Sequence, residues 1–262
     1  MSGILRVSRA VALIWHNLVF LLLGLMIDAF PFAGNARKLH IRAYCMMWWA
    51  RIACLILGVH RTTTGACEGG NVFFVVSNHC SYLDILVIGS IMPTVFVAKK
   101  EVAAWSLLGR LAGLAGTVFI DRESRAASVR KLEEIKTRLR SGMSVAAFPE
   151  GTTNDGMSIR DFKSMLFQAP IDTEVPVLPL SLLYSHIDGV PVSPETKDRI
   201  AWYAEMPFLS HFWELMGIRR IDVRTQFGSP LYGEASGRRG LASFAYEIVK
   251  AGHAALRREI EA

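Results

Sequence analysis

NVFFVVSNHCSYLD, residues 71–84, runs through five branched or aromatic residues, Val72 to Val76, before turning polar at Ser77 and Asn78. A short apolar run bounded by turn formers reads as a buried β-strand. Six further segments of this kind follow: TVFVAKK (94–100), TVFID (117–121), SVAAFPE (144–150), VPVLPLSL (175–182), RIAWYAE (199–205) and IDVRTQFG (221–228). Helical patterns lie between them. Over residues 124–141, Val129, Leu132, Ile135 and Leu139 recur at spacings of three and four, Ser124 is a candidate N-cap, and Gly142 follows the end. Residues 241–260 form a second amphipathic helix. Strands alternating with helices predict an α/β fold, with a central, mostly β-sheet flanked by helices.

Before residue 60 the pattern changes. Residues 10–27 (AVALIWHNLVFLLLGLMI) are apolar apart from His16 and Asn17, and residues 44–58 are apolar apart from Arg51. A secretory signal has a similar basic start and apolar middle, but AFPFAG offers no cleavage site and Pro31 breaks the helix. The first run is nearly the 20 residues needed to cross a bilayer. A spanning hairpin, however, would translocate Arg37, Lys38 and Arg42, against the positive-inside bias. Two helices dipping into one leaflet, with basic residues at anionic headgroups and Trp48 and Trp49 at the interface, suit these residues better. The expectation is a membrane-anchoring element over residues 1–60, followed by an α/β domain over residues 61–262. It would sit monotopically on the cytoplasmic face of the inner membrane.

Bulk properties agree. Hydrophobic residues make up 52% and charged residues 20% of the 262-residue chain, more apolar than a freely soluble enzyme and less than a polytopic membrane protein. The net charge of +6 suits anionic lipid, an acidic carrier protein or nucleic acid. The lysines and arginines are scattered and carry no nucleic-acid motif, which argues against the last. The four cysteines, Cys45, Cys54, Cys67 and Cys80, form no CxxC pair and no metal-ligand spacing, so no metal is expected and reduced thiols are.

The chemistry is expected where the first strand ends. His79 leaves the strand and Asp84 follows five residues later, so the two side chains can meet across the first turn of a helix. The carboxylate would keep one imidazole nitrogen protonated and leave the other free to take a proton from an alcohol. A bare His-x4-Asp pair is a weak signal, and Asn78 and Ser81 beside it could simply cap a helix. No G-x-S-x-G elbow is present, so the pair would activate a substrate hydroxyl and not a protein one. Three further segments end strands with chemistry-bearing residues: GTVFIDR (116–122), FPEGTT (148–153) and VPVLP (175–179). Ligands bind where such strand ends gather.

In order and spacing, NHCSYLD, GTVFIDR, FPEGTT and VPVLP resemble the four motifs of the glycerophospholipid acyltransferases, most of all the 1-acyl-glycerol-3-phosphate type. The resemblance covers roughly residues 70–182. It implies an acyl-CoA or acyl-carrier-protein co-substrate with no further cofactor, a lysolipid acceptor, and an N-terminal pair of membrane-docking helices. It also implies His79 as general base, Asp84 as its orienting partner, and Arg122 as a contact for the acceptor's phosphate. Glu150, Gly151 and Thr152 fall in the acceptor-binding motif, and Pro179 in the segment associated with the donor. Asn78, Ser81, Lys99 and Lys163 are further candidate contacts.

One position departs from the pattern. Lysophosphatidate enzymes commonly carry arginine after FPEGT, where this chain has Thr153. Arginine presents a fork of donors to a phosphate, and Arg122, Lys99, Lys100, Arg160 and Lys163 are the cations left to replace it. The following DGMSIRDFKSMLF resembles a branch of the family that includes lyso-ornithine lipid acyltransferases. Lysophosphatidate is the leading acceptor and lyso-ornithine lipid the alternative. A non-catalytic lipid-binding protein is the reading of another class, opposed by the intact His79 and Asp84.

Overall fold

A computed structural model describes residues 2–29, 34–65, 71–121, 125–233 and 237–261. The chain runs α1 (Ser2–Ala29), α2 (Asn35–Leu57), β1 (Val59–Thr64), β2 (Phe74–Ser77), α3 (Leu83–Ile91), β3 (Val95–Lys99), α4 (Lys100–Ala103), α5 (Ser106–Leu114), β4 (Val118–Ile120), α6 (Arg125–Arg140), β5 (Val145–Ala147), α7 (Gln168–Asp172), β6 (Val177–Ile187), β7 (Val190–Pro191), α8 (Phe208–Leu215), β8 (Ile221–Phe227) and α9 (Gly237–Glu261).

The strands form one mixed sheet in the order β1-β8-β6-β2-β5-β3-β4, with β7 a short hairpin partner of β6. The neighbours β6, β2, β5, β3 and β4 all pair in parallel, so their carboxyl ends share one edge. β7 and β8 pair antiparallel with β6, and the edge strand β1, parallel to β8, runs the same way as β8. Two apolar clusters pack on the sheet. In one, Leu83, Val87 and Ile88 of α3 meet Leu178, Leu180 and Leu182 of β6 and Val223 of β8. In the other, Ile135 and Leu139 of α6 meet Phe74, Val76 and Val118, with Leu241 and Ala245 of α9. Gly142, at φ 81°, ends α6 as its sequence position predicted. The candidate N-cap Ser124 lies outside the described residues.

Residues 199–205 are a correction: they form no strand. A short 3₁₀ turn over Lys197–Arg199 leads into irregular chain. Its buried apolar residues, Ile200 and Ala201, pack into the α3 cluster and not into a sheet ladder. The backbone groups bond to the His79 loop instead, Trp202 N–H to the Cys80 carbonyl at 2.8 Å and the Ile200 carbonyl to Ser81 Oγ at 2.8 Å. Strand β1, by contrast, lacks a strand's apolar signature because it is a mostly exposed sheet edge.

The N-terminal helices form an antiparallel pair. His16 and Asn17, which interrupt the apolar run of α1, both bond Trp49 of α2: His16 Nε2 lies 3.0 Å from its carbonyl, and its indole N–H donates to Asn17 Oδ1 at 2.9 Å. Ala53, Cys54 and Leu57 of α2 enter the core beside α3. Helix α1 is long and apolar enough to cross a membrane, yet only 17% of its most apolar window is buried. Ile4, Val11, Trp15, Leu22 and Met26 form one exposed stripe along it, at spacings of seven and four. Cys45, Cys54 and Cys80 are free thiols; Cys67 lies outside the described residues.

Candidate active site

Strand β2 ends at Ser77 and α3 begins at Leu83. The loop between them is shaped by one carboxylate. Asp84, in the first turn of α3 and fully buried, turns back so that its Oδ2 accepts the Cys80 and Ser81 N–H groups at 2.8 and 2.9 Å. A carboxylate here satisfies two N–H groups of the loop that leads into the helix and, in the first turn, is favoured by the helix dipole. The same oxygen lies 2.7 Å from His79 Nδ1. Because an ionised carboxylate can only accept, Nδ1 carries the imidazole proton and Nε2 offers its lone pair. The His79 side chain is 16% exposed, enough for a substrate to reach it. Its ring lies flat on Phe148, with centroids 3.9 Å apart and planes 11° apart.

The FPEGTT segment closes around this pair from the end of β5. Glu150 is 2% exposed and spends both oxygens inside the protein. Oε1 accepts the His79 backbone N–H at 2.7 Å, while Oε2 accepts Asn154 Nδ2 at 2.5 Å and the Arg160 N–H at 2.8 Å. Asn154 returns its own N–H to the His79 carbonyl at 3.1 Å. The geometry therefore makes Glu150 a brace of the histidine loop. Gly151 turns the chain at φ 82°, a left-handed conformation that favours glycine, and Lys163 is brought to this turn, its Nζ 2.8 Å from where a Cβ would stand. Thr152 follows, half-buried.

Other predicted residues take structural positions. Asn78 is buried and joins the loop to β6, donating to the Leu182 carbonyl at 2.8 Å and accepting its N–H at 2.9 Å. Ser81 is buried against Ile200, and Pro179 is buried within β6 opposite Val76. Lys99 is exposed at the carboxyl end of β3, on the edge the site occupies. Arg122 lies outside the described residues. Sequence reasoning missed Tyr184, whose hydroxyl donates to Asp84 Oδ1 at 2.7 Å. Tyr82 ties the loop to α8 through His211 Nδ1 at 2.9 Å and edge-on contacts with Phe208 and Phe212.

Burial pushes the Glu150 carboxyl up to about 7 against its three hydrogen bonds, and the nearby Asp84 charge adds to the rise. In the unfolded chain it titrates near 4.5. The folded state thus binds the extra proton between these values, so this group makes the fold less stable as pH rises from about 4.5 to 7, and the loss stays constant above that. A shift of this size corresponds to about 3 kcal/mol. Urea unfolding at pH 5 and pH 8 should show the step in the wild type and its absence in Glu150→Gln. A step of equal size in the variant would assign it to another group.

A strand-end imidazole oriented by a buried carboxylate, at the carboxyl edge of an α/β sheet, is an arrangement that can take a proton from a hydroxyl. Residues 60–183 match the profile described as Acyltransferase. The chain is 34% identical to the lyso-ornithine lipid O-acyltransferase of Rhizobium meliloti, over 69% of this chain and 64% of that protein's length. It is 31% identical to the 1-acyl-sn-glycerol-3-phosphate acyltransferase of Neisseria gonorrhoeae, over 74% and 73%. The crystal structure of the 1-acyl-sn-glycerophosphate acyltransferase from Thermotoga maritima superposes with a TM-score of 0.69 at 20% identity, covering 98% of both chains, and so shares the fold. The chain belongs to the acyltransferase family.

Proposed function

We propose that this protein moves a fatty acyl group from a thioester, acyl-CoA or acyl-carrier protein, to the free hydroxyl of a lysolipid at a membrane surface. The 2.7 Å contact between His79 Nδ1 and Asp84 carries this reading. Nε2 takes the proton as the acceptor oxygen attacks the thioester carbonyl. The tetrahedral intermediate then collapses, the thiolate leaves, and the imidazolium returns the proton to it. Asp84 stabilises the imidazolium throughout without itself taking the proton.

The leading acceptor is 1-acyl-sn-glycerol-3-phosphate. Its phosphate finds cations at Lys163, beside the Gly151 turn, and Lys99, with Arg122 expected to join them. One observation favours the second reading, lyso-ornithine lipid. Thr153 stands where a phosphate-binding arginine is expected, and the Rhizobium meliloti relative is named for that substrate. Acyl transfer by the purified protein to both lysolipids, with acyl-CoA and acyl-carrier-protein donors, separates the two. Higher kcat/KM with lysophosphatidate is expected. The opposite order would move the head group to lyso-ornithine and leave the chemistry of His79 untouched.

For the membrane, the supporting observation is how α1 lies on the domain. Near its start, Arg6 pairs with Glu214 at 2.5 Å, and Arg9 donates to the carbonyls of Met216, Ile218 and Arg219. Near its end, Gly24 sits so close to Leu114 of α5 that a Cβ would stand 2.9 Å from it. Asp28 meets Lys38 and Arg42 of α2 there. A helix of 28 residues is about 42 Å long. Held to the same domain at both ends, it is placed to lie along a membrane surface instead of crossing the bilayer, which favours a monotopic protein, and the basic Lys38 and Arg42 beside it suit the anionic cytoplasmic leaflet.

A further inference from the structure

We propose that Tyr184 is a positioning residue of acyl transfer, its buried hydroxyl fixing Asp84 in the orientation that holds His79. The inference rests on the reading of His79 and Asp84 as the base and its partner.

The division of labour on the carboxylate carries it. Asp84 Oδ2 is crowded, accepting the Cys80 and Ser81 N–H groups and facing His79 Nδ1. Oδ1 has one strong donor, the Tyr184 hydroxyl at 2.7 Å; the Cys80 thiol is 4.0 Å away. Asp84 is fully buried, so bulk water does not replace a missing donor. Tyr184 continues the inward stripe of Leu178, Leu180 and Leu182 on β6, and it alone of the four carries a hydroxyl to the end of that stripe. Immediately after it the β6–β8 register shifts, the kind of irregularity that re-aims a side chain. Burial and the Asp84 charge hold the phenol's ionisation well above its usual range, so it remains a donor throughout any assay.

A buried tyrosine needs a hydrogen-bond partner for ordinary structural reasons, so the test must read more than folding. The titratable groups around the pair are Cys80 on the same loop, Glu150 and Asp155 on the loop after β5, and Cys54 of α2 near Tyr184. Replacing tyrosine with phenylalanine keeps the ring and leaves all of these in place. It strips one donor from a buried anion. The pair then gains a proton more readily, whether the carboxylate takes it or the imidazolium is held more tightly. In both cases the acidic limb of the kcat/KM–pH profile moves to higher pH.

Tyr184→Phe is expected to lower kcat about 10–100-fold, the range for a hydrogen bond to a charged group. KM for both substrates should stay nearly unchanged, with the acidic limb raised and the thermal midpoint within a few degrees of wild type. A wild-type kcat with an unmoved limb would overturn the proposal. Should the phenylalanine protein fail to fold, 3-fluorotyrosine at position 184 decides the matter: as the stronger donor it should lower the limb, and an unmoved limb counts against the proposal. His79→Ala, assayed alongside, separates the two claims. Full activity there sinks the base assignment itself, whereas an inactive His79→Ala with a normal Tyr184→Phe removes only the role of Tyr184.

Discussion

His79→Ala protein should fold as the wild type does and transfer acyl groups at least about 10²-fold more slowly, down to 10⁴-fold, the usual span of general-base catalysis. The fold should survive because Asp84 keeps three donors without the imidazole: the Cys80 and Ser81 N–H groups and the Tyr184 hydroxyl. What is lost is the face of Phe148, which the His79 ring covers, and a side chain already 16% exposed. The rate should fall because no other imidazole is held by a carboxylate among the described ion pairs. Steady-state kinetics with matched thermal unfolding checks both halves. More than about a tenth of wild-type turnover in the variant would refute His79 as the base.

The second large effect is on membrane binding. Changing Val11, Trp15, Leu22 and Met26 together to glutamine alters one exposed stripe of α1 and no core residue, since each is at least half exposed. Each large apolar side chain contributes about 1.5–3 kcal/mol when withdrawn from water. Four of them should therefore weaken binding to anionic vesicles by several orders of magnitude. Vesicle sedimentation is the measurement, with transfer to a micellar acceptor as the control for folding. Transfer to membrane-embedded acceptor should fall with binding while the micellar rate holds. Binding unchanged by all four substitutions would place the lipid contact elsewhere.

Much of the fold could be read from short apolar runs, because parallel central strands covered on both faces leave an unbroken hydrophobic signature. That is why β2, β3 and β5 fall inside the segments expected of them, while β6 starts inside its segment and runs on to Ile187. Residues 199–205 carry the same signature for another reason. Ile200 and Ala201 are buried in the apolar cluster beside α3 while the backbone bonds the His79 loop, and composition does not distinguish such a packed loop from a strand. His16 and Asn17 read as interruptions of α1, although they are its polar contacts with Trp49.

Within the site, His79 and Asp84 could be found because five residues separate them. Tyr184 meets the same carboxylate from 100 residues away, and no local spacing points to it. Glu150 was visible as a residue of the site but not as an internal brace, because the N–H groups it accepts belong to residues 79 and 160. Backbone donors have no sequence signature of their own.

His79, as general base, should let a lipid hydroxyl take the acyl group directly from a thioester. The measurement that tests it most directly uses purified wild-type protein, a thioester labelled in its acyl chain, and lysolipid in vesicles. Label and released thiol are followed together, and His79→Ala is run in parallel. One thiol is expected for each labelled lipid ester formed, only when lysolipid is present, with neither product above background in the variant. Labelled ester formed equally by the variant, or thiol released by the wild type with no label reaching lipid, would contradict it.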